Sequence, residues 1–231
     1  MRILIPTIMY GRHEVFEVYA QGIKNLQVAY PDVDIQCMIV GTGDKEIAEK
    51  HGFEYHEFPN KPLGAKAQHR LELCKNRADY YLFLGSDDIM DEHLFGYYLE
   101  QIKKGIDYIS CYEIYYHNKG NIYHSKGYPR SSHRHGEPIA VGRCVSNSLL
   151  ARHKWNLWSA KAKDRGLDGA VYKKLRKTNS KHFFRLNQSG GVLLDIKTSN
   201  NLTKLNFNHY DNVGKDKDFL NPNLIPLLNG I

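Results

Sequence analysis

Two adjacent carboxylates, Asp87 and Asp88, stand directly after a run of apolar and aromatic residues at positions 80–84. Such a run, bounded here by Gly85 and Ser86, indicates a buried strand, and open α/β sheets keep their ligand crevices at the carboxyl ends of strands. Because neighbouring carboxylates repel each other and lose hydration on burial, a divalent cation that also binds phosphate would be a stable partner for them. The alternative is a solvated Asp-Asp turn that caps the following helix.

A second candidate motif, Gly41-Thr42-Gly43-Asp44, lies between a predicted strand and a predicted helix. Glycines let a ligand approach the backbone closely, and the amino terminus of a helix favours anions. The spacing is not G-x-G-x-x-G, so the dinucleotide fingerprint is absent. A ligand loop and a plain strand-to-helix turn both stay open for this segment.

The elements that must position these residues alternate along the first half of the chain. Strand and helix patterns in alternation imply right-handed β-α-β crossovers and a mostly parallel sheet flanked by helices. The strands are predicted at 2–6, 34–40, 53–58, 80–84 and 107–115, and the helices at 13–29, 45–51, 63–77 and 91–104. The second half is more irregular, with a hairpin near residues 119–121, helices at 145–155 and 168–177, and short strands and loops over 182–209.

Composition narrows the class of protein. The chain has 231 residues, of which 42% are hydrophobic and 25% charged, as is typical of a globular enzyme domain. No apolar run approaches a membrane span, and residues 1–6 resemble a core strand rather than a signal peptide. Four widely spaced cysteines without a C-x-x-C pair favour buried thiols in a reducing compartment over a structural zinc site. We therefore predict a cytoplasmic protein without a transmembrane segment.

The net charge of +7 is unevenly distributed. Residues 119–185 contain sixteen Lys or Arg and three acids, a local charge of +13, which leaves −6 for the remainder. A basic face of this kind suits a polyanionic partner such as nucleic acid, an anionic polysaccharide or a membrane surface. Ordinary solvated, lysine-rich helices are the alternative.

In order and spacing, these features over about residues 1 to 175 resemble the GT-A nucleotide-sugar glycosyltransferases, particularly the large inverting family that is similar to bacterial polysaccharide synthases. The resemblance implies a GT-A (Rossmann-like) fold in one domain, residues 1–231. Residues 1–116 would then bind the nucleotide sugar, and residues 117–231 would bind the acceptor. It also implies a UDP-sugar as the first choice of donor and Mn²⁺ or Mg²⁺ as cofactor.

The resemblance assigns donor contacts to four positions. Pro6 and Thr7 end a strand similar to the first strand of that family, which lies near the nucleotide base. Asp44 stands where the family has an acid that reads uracil or its ribose. Lys66 belongs to a segment, Leu63-Gly64-Ala65-Lys66-Ala67-Gln68, that resembles the glycine-containing helix start beside the nucleotide.

The metal site would be formed by Asp88 together with Asp87, which also contacts the donor, in a segment similar to the D-x-D or D-x-D-D motif of the family. The sequence departs from the four-residue form at Gly85, where the family has its first Asp, so that contact is either missing or supplied by Asp87. His209 resembles in position the C-terminal histidine that some GT-A enzymes add to the metal. A surface or capping histidine is the alternative.

Catalysis of an inverting transfer needs one base to take the acceptor proton. Asp168, in Gly166-Leu167-Asp168-Gly169, is similar in place to the acid that serves as base in the family, although the frequent Glu-Asp pair is a single acid here. Its alternative role is that of a helix N-cap.

Candidate acceptor contacts follow in the second half of the chain. Trp155 and Trp158 could stack on a sugar or a base, with core packing as the alternative for at least one of them. Arg130, Arg134 and Arg143 could clamp a diphosphate or a polyanionic acceptor, or they could lie in a solvated loop.

The sequence thus predicts a metal-dependent inverting glycosyltransferase acting on an acceptor hydroxyl. The acceptor would be a saccharide or a modified base of DNA, as in enzymes that glycosylate viral DNA, in which case the protein would work in the host cytoplasm. Two other classes stay open. One is a non-catalytic nucleic-acid-binding domain that uses residues 119–185. The other is a nucleotidyltransferase, whose Gly-rich basic loop after the first strand has only a faint counterpart at residues 9–12.

Overall fold

The structure is a computed structural model that describes residues 1–158, 164, 166–198, 205–215, 220–222, 224–228 and 231. Parts of three predicted segments lie outside the described residues. They are positions 159–163 and 165 of the basic residues 119–185, positions 199–204 of the predicted strands and loops, and positions 216–219, 223 and 229–230 of the last twenty-one residues, which the sequence predicts to be a polar and then apolar tail.

Twelve strands form two sheets in the described part of the chain. They are β1 (Arg2–Ile8), β2 (Asp34–Gly41), β3 (Glu54–Glu57), β4 (Tyr80–Phe83), β5 (Asp88–Met90), β6 (Tyr108–Cys111), β7 (Ile114–Asn118), β8 (Asn121–Ser125), β9 (Arg143–Ser146), β10 (Lys181–Phe184), β11 (Leu193–Ile196) and β12 (Asp211–Lys215). The first sheet has the order β10-β6-β9-β4-β1-β2-β3, and β9 alone among its seven strands runs antiparallel to its neighbours. The predicted mostly parallel sheet flanked by helices is therefore confirmed.

The second sheet has the order β12-β8-β7-β11-β5. It takes β5 from the first half of the chain, while β9 and β10 from the second half complete the first sheet. The predicted halves 1–116 and 117–231 are thus interleaved, and their functional division stays a prediction. In the antiparallel pair of β5 and β11, Asp88 lies opposite Asp195.

Seven α-helices lie in the described part of the chain. They are α1 (His13–Ala29), α2 (Lys45–Lys50), α3 (Leu63–Leu73), α4 (Glu92–Lys103), α5 (Asn147–Arg152), α6 (Leu167–Leu175) and α7 (Ile225–Leu228). All but the last, which packs beside α1 and the second sheet, flank the first sheet. One apolar core joins the sheet to α1 and α4, and the other joins it to α3, α5 and α6. No helix in these described ranges is long and apolar enough to cross a membrane.

Local sequence explains where the helices begin. Helix α1, predicted over 13–29, has an apolar stripe at helical spacing that is buried along its whole length: Val15, Phe16, Tyr19, Ile23 and Leu26. Helix α4 follows Asp91, whose carboxylate accepts a hydrogen bond from the backbone N–H of Leu94, and α5 follows Ser146, which caps Leu149 in the same way. Such capping satisfies amide groups that lack partners inside the helix.

Three predicted elements were wrong in type or extent. The helix predicted over 63–77 ends at Leu73 as α3. The single strand predicted over 107–115 is two strands, β6 and β7, because the chain leaves the first sheet at Tyr112 and Glu113 and enters the second. The helix predicted over 145–155 is α5 alone, preceded by β9, since residues 143–146 pair with both β4 and β6.

Candidate active site

Three carboxylates converge below the carboxyl end of β4. Asp87 lies in the turn after that strand, Asp88 begins β5, and Asp195 lies in β11. Ligand oxygens of all three lie within 4.8 Å of one another. The antiparallel register accounts for the proximity of Asp88 and Asp195, because side chains that face each other across such a pair have Cβ atoms roughly 5 Å apart.

Burial makes Asp88 and Asp195 difficult to ionise. Asp88 is 4% exposed and Asp195 is 7% exposed. Loss of hydration raises the pKa of Asp88 well above its usual range, and repulsion by Asp195 and Asp87 adds to this. Burial and repulsion by Asp87 raise the pKa of Asp195 to about 7, against the opposing attraction of Lys197. The cluster therefore favours bound positive charge, whether protons or a metal ion.

Two cations flank the cluster. Arg12 Nη1 lies 2.7 Å from Asp87 Oδ2, and Lys197 Nζ lies 2.5 Å from Asp195 Oδ2. The other oxygen of Asp195, Oδ1, is buried and accepts no hydrogen bond from the described residues. An unpaired buried carboxylate oxygen is costly, and an all-oxygen donor set is what Mg²⁺ and Mn²⁺ prefer. The residues present fit a hard divalent cation.

The close approach of the two carboxylates explains why residue 85 is a glycine. Its backbone N–H donates to Asp88 Oδ2 at 2.5 Å. A Cβ at position 85 would stand 2.8 Å from Asp88 Oδ2 and 2.9 Å from Asp87 Oδ1, closer than such atoms can approach. A side chain at this position would therefore displace both carboxylates. Asp195 supplies a third carboxylate that sequence reasoning missed, although an acid inside the apolar strand Leu193–Ile196 was a signal for it.

A cavity of about 350 Å³ opens beside the acids, between α3, the adjacent ends of β4 and β9, and the start of α6. Five predicted site residues and one that was missed, Arg70, line it together: Arg70, Asp87, Asp88, Arg143, Trp158 and Asp168. Asp168 is exposed in the first turn of α6. The N-cap of that helix is Gly166, with no side-chain capping bond, so Asp168 does not take its alternative role.

The predicted donor residues Asp44 and Lys66 tie together the loops that follow β1 and β2. Asp44 is buried and accepts hydrogen bonds from the backbone N–H of Gly11 at 3.0 Å and of Thr42 at 3.1 Å. Lys66 Nζ donates to the Met9 carbonyl at 2.8 Å and to Thr42 Oγ1 at 2.9 Å. Burial lowers the pKa of Lys66 to about 8. These contacts fix the loop positions, and the donor roles of both residues stay predictions.

Pro6 and Thr7 are buried within β1. The Thr7 hydroxyl lies 2.6 Å from the Tyr19 hydroxyl and donates to the Leu84 carbonyl at 3.1 Å. The Pro6 carbonyl accepts from Arg70 Nη1 at 3.2 Å. Thr7 thus connects β1 with the residues that lead to the acids.

The acid cluster among the described residues does not include His209. This histidine is exposed at the end of the short turn Phe207–His209, so its predicted place on the metal has no support from the geometry. Trp155 is buried, with its ring edge-on to that of Tyr81 at 5.2 Å between centroids. Its burial favours the core-packing alternative and leaves Trp158 as the tryptophan that lines the cavity.

Arg130 and Arg134 do not line the cavity, although the charge of Arg134 interacts with that of Asp168, which does. Arg130 is exposed. Arg134 Nε pairs with Glu137 Oε2 at 2.8 Å, and its guanidinium lies over the Tyr128 ring. Of the three predicted arginines, only Arg143 faces the acids' cavity.

The described architecture is similar to solved structures of glycosyltransferases. One is S. aureus TarS, residues 1–349, with a TM-score of 0.59 and 14% identity over 85% of this chain and 60% of that one. The complex of the same protein with UDP-GlcNAc has a TM-score of 0.57 and 14% identity over 89% of this chain and 62% of that one. Glucosyl-3-phosphoglycerate synthase from Mycobacterium tuberculosis, in complex with Mn²⁺, UDP and phosphoglyceric acid, has a TM-score of 0.55 and 13% identity over 86% of this chain and 71% of that one.

These likenesses establish the GT-A fold, and the resemblance read from the sequence is confirmed at that level. The chain spans about 60% of the TarS fragment that it matches. No protein-family model matches the sequence, and no curated protein sequence is significantly similar to it.

Proposed function

We propose that this protein is a metal-dependent inverting glycosyltransferase that uses a UDP-sugar donor. The observation that carries the proposal is the cluster of Asp87, Asp88 and Asp195 at the carboxyl end of β4, beside a cavity that Asp168 also lines. The GT-A neighbours support the same reading, since some of them were solved with UDP, UDP-GlcNAc or Mn²⁺.

The three carboxylates would hold Mn²⁺ or Mg²⁺, and the unpaired Oδ1 of Asp195 would be one of its ligands. When bound, such an ion neutralises the charge that develops on a departing nucleoside diphosphate. Arg12 and Lys197 hold the outer oxygens of Asp87 and Asp195, so the carboxylates are kept in place before the ion arrives. Water exclusion by the buried strands strengthens these interactions.

Asp168 is the residue proposed to take the proton from the acceptor hydroxyl. It is exposed and lines the cavity, within reach of an acceptor hydroxyl bound there. The loops tied by Asp44 and Lys66 would receive the uracil and ribose. The acceptor is a saccharide or a modified base of DNA, and the transferred sugar is a hexose or a pentose.

Release of UDP tests the proposal. The protein is incubated with Mn²⁺ and a panel of UDP-glucose, UDP-GlcNAc, UDP-galactose and UDP-xylose, first with water alone and then with oligosaccharides or DNA. We expect slow UDP release from at least one donor, lost on chelation and in Asp88→Asn. The matched control is Asp32→Asn, which changes an exposed aspartate ahead of β2. UDP release that survives Asp88→Asn, or no recognition of any donor, would overturn the proposal.

A further inference from the structure

The cavity has a second polar wall, made by Arg70, Arg143 and Trp158, which we call the basic wall. Its members come from three separate elements: the middle of α3, the first residue of β9, and the segment after α5. Arg70 is 7% exposed, Arg143 is 3% exposed and Trp158 is 7% exposed. Buried arginines of this kind normally have acceptors for all their N–H groups.

Each member of the basic wall has a buried N–H group without an acceptor among the described residues. Arg70 uses Nη1 on the Pro6 carbonyl, and its Nε has no partner. Arg143 uses Nε on the Tyr108 hydroxyl at 3.1 Å, and its Nη2 has no partner. The indole Nε1 of Trp158 likewise has none. Three orphaned donors beside one cavity are an unfavourable arrangement unless a ligand supplies acceptors.

The two arginines of the basic wall also lack a close counter-charge. Within the described ranges, neither guanidinium has a carboxylate at ion-pair distance. The two cations repel each other, and burial together with this repulsion lowers the pKa of Arg70 to about 10. The guanidinium of Arg70 lies 5.0 Å from the centroid of the Phe83 ring and 5.3 Å from that of Trp158. These ring contacts orient the guanidinium but stabilise its positive charge much less than a carboxylate would.

The basic wall and the acid cluster have different electrostatic partners. Lys197 acts on both Asp88 and Asp195, and Arg12 acts on Asp195 and pairs with Asp87. The charge of Arg70 instead interacts with that of Asp168, the proposed base. The wall therefore belongs to the side of the cavity where the acceptor hydroxyl and the transferred sugar would meet, and not to the side that holds the metal.

We propose that the basic wall binds an anionic group, a phosphate or a carboxylate, which a substrate carries in addition to the diphosphate of the donor. The inference rests on the proposed function. A carboxylate or phosphate bound in the cavity would pair with the guanidinium groups of Arg70 and Arg143 and supply acceptors that the described residues do not, and such charge-assisted bonds are the strong ones. The anion belongs either to the transferred sugar, as in a uronic acid, or to the acceptor, as in a phosphorylated saccharide.

The test compares anionic probes with neutral ones. UDP release from UDP-glucuronic acid is compared with that from UDP-glucose. Binding of glucose 6-phosphate is compared with that of glucose by tryptophan fluorescence, on protein saturated with UDP and Mn²⁺. Both comparisons are repeated in Arg143→Gln, Arg70→Met and the control Arg152→Gln, which changes an exposed arginine paired with Asp107.

We expect the wild-type protein to prefer one anionic probe over its neutral counterpart by about tenfold to a hundredfold, the range typical of a charge-assisted hydrogen bond. The preference should fall at least tenfold in Arg143→Gln and Arg70→Met and persist in Arg152→Gln. A preference for UDP-glucuronic acid places the anion on the transferred sugar, and one for glucose 6-phosphate places it on the acceptor.

Affinity for UDP with Mn²⁺, measured by calorimetry on every variant, separates the possible failures. A melting temperature near the wild-type value shows that a variant is folded, and Arg70→Met is used in place of Arg143→Gln if the latter does not fold. Wild-type protein that binds UDP but shows no anion preference refutes the basic wall alone. Equal loss of UDP affinity and anion preference in the variants also refutes it, because the arginines would then serve the diphosphate. Wild-type protein that binds no UDP refutes the proposed function itself.

Discussion

Manganese binding should weaken steeply as the pH falls below about 7. The metal must displace the protons that burial keeps on Asp88 and Asp195, since only the ionised carboxylates are ligands. At neutral pH an ordinary, exposed aspartate would be ionised already and would give no such dependence. The pH profile therefore reports directly on the burial of the cluster.

The size of the effect follows from the pKa of about 7 for Asp195. At pH 6 about nine in ten molecules would hold this proton, and each further pH unit costs a factor of about ten in affinity. From Asp195 alone, affinity at pH 5 would be about a hundredfold below its plateau above pH 7. The raised pKa of Asp88 makes the slope steeper wherever both groups are protonated.

The same shift fixes the sign of the stability change in the metal-free protein. The folded state holds the Asp195 proton up to about pH 7, whereas the unfolded chain releases it near the ordinary value of 3.8. The folded state thus binds more protons than the unfolded chain between these limits. The contribution of Asp195 to the free energy of unfolding is therefore fully present below pH 3.8 and is lost as the pH rises through about 7. Added Mn²⁺ should restore stability at the upper end of this range.

Calorimetric titration with Mn²⁺ at pH 5, 6, 7 and 8 measures the profile, and buffers of different ionisation enthalpy count the protons released. Asp195→Asn should bind more weakly at pH 8 and release fewer protons, while Asp32→Asn should match the wild type. The reasoning is refuted if Mn²⁺ affinity is flat from pH 5.5 to 8 or if binding releases no protons. Either result would mean that Arg12 and Lys197 already keep the carboxylates ionised.

Three further outcomes are expected. Gly85→Ala should abolish the rise in Tm caused by Mn²⁺, because its Cβ would stand within 3 Å of both carboxylates, whereas Gly22→Ala, with an ordinary 3.4 Å contact, should keep it. Asp168→Asn should lower the rate of UDP release at saturating donor by about 10² to 10⁴ without changing the affinity for UDP, and a parallel loss of affinity would contradict its role as base. Glu54→Gln should lower Tm at pH 7 but not near pH 2. The hydrogen bond from Arg77 lowers the pKa of Glu54 to about 2, so the stabilisation that this carboxylate provides is present above pH 4.5 and is lost as the pH falls through about 2. A variant with the same Tm as the wild type at pH 7 would contradict this.

The first half of the fold was predictable because buried parallel strands are continuous apolar runs and their helices have an apolar stripe. Asp87 and Asp88 could be placed at the end of β4 for the same reason. Strand β9 could not be predicted, because residues 143–146 continue without a break into α5 and resemble the first turn of that helix. Boundaries of this kind depend on pairing with distant strands.

Asp195 and Arg70 could not be assigned to the site from the sequence, because local patterns do not specify contacts between distant elements. Asp195 lies in a four-residue strand, and only its register with β5 brings it to Asp88, which no sequence period specifies. Arg70 looks like a solvated residue on a polar helix, whereas α3 turns it toward Phe83 and the cavity. His209, placed on the metal by position alone, lies exposed outside the acid cluster.

The pairing of Asp88 with Asp195 also couples cation affinity to the correctness of folding. A slip of one residue between β5 and β11 would turn one of these carboxylates to the opposite face of its sheet. A chain mispaired in this way would have too few ligands for the ion, which would stabilise only molecules whose strands are aligned. If the ion were present during refolding, it would therefore favour chains in which β5 and β11 are correctly paired over chains in which they are not.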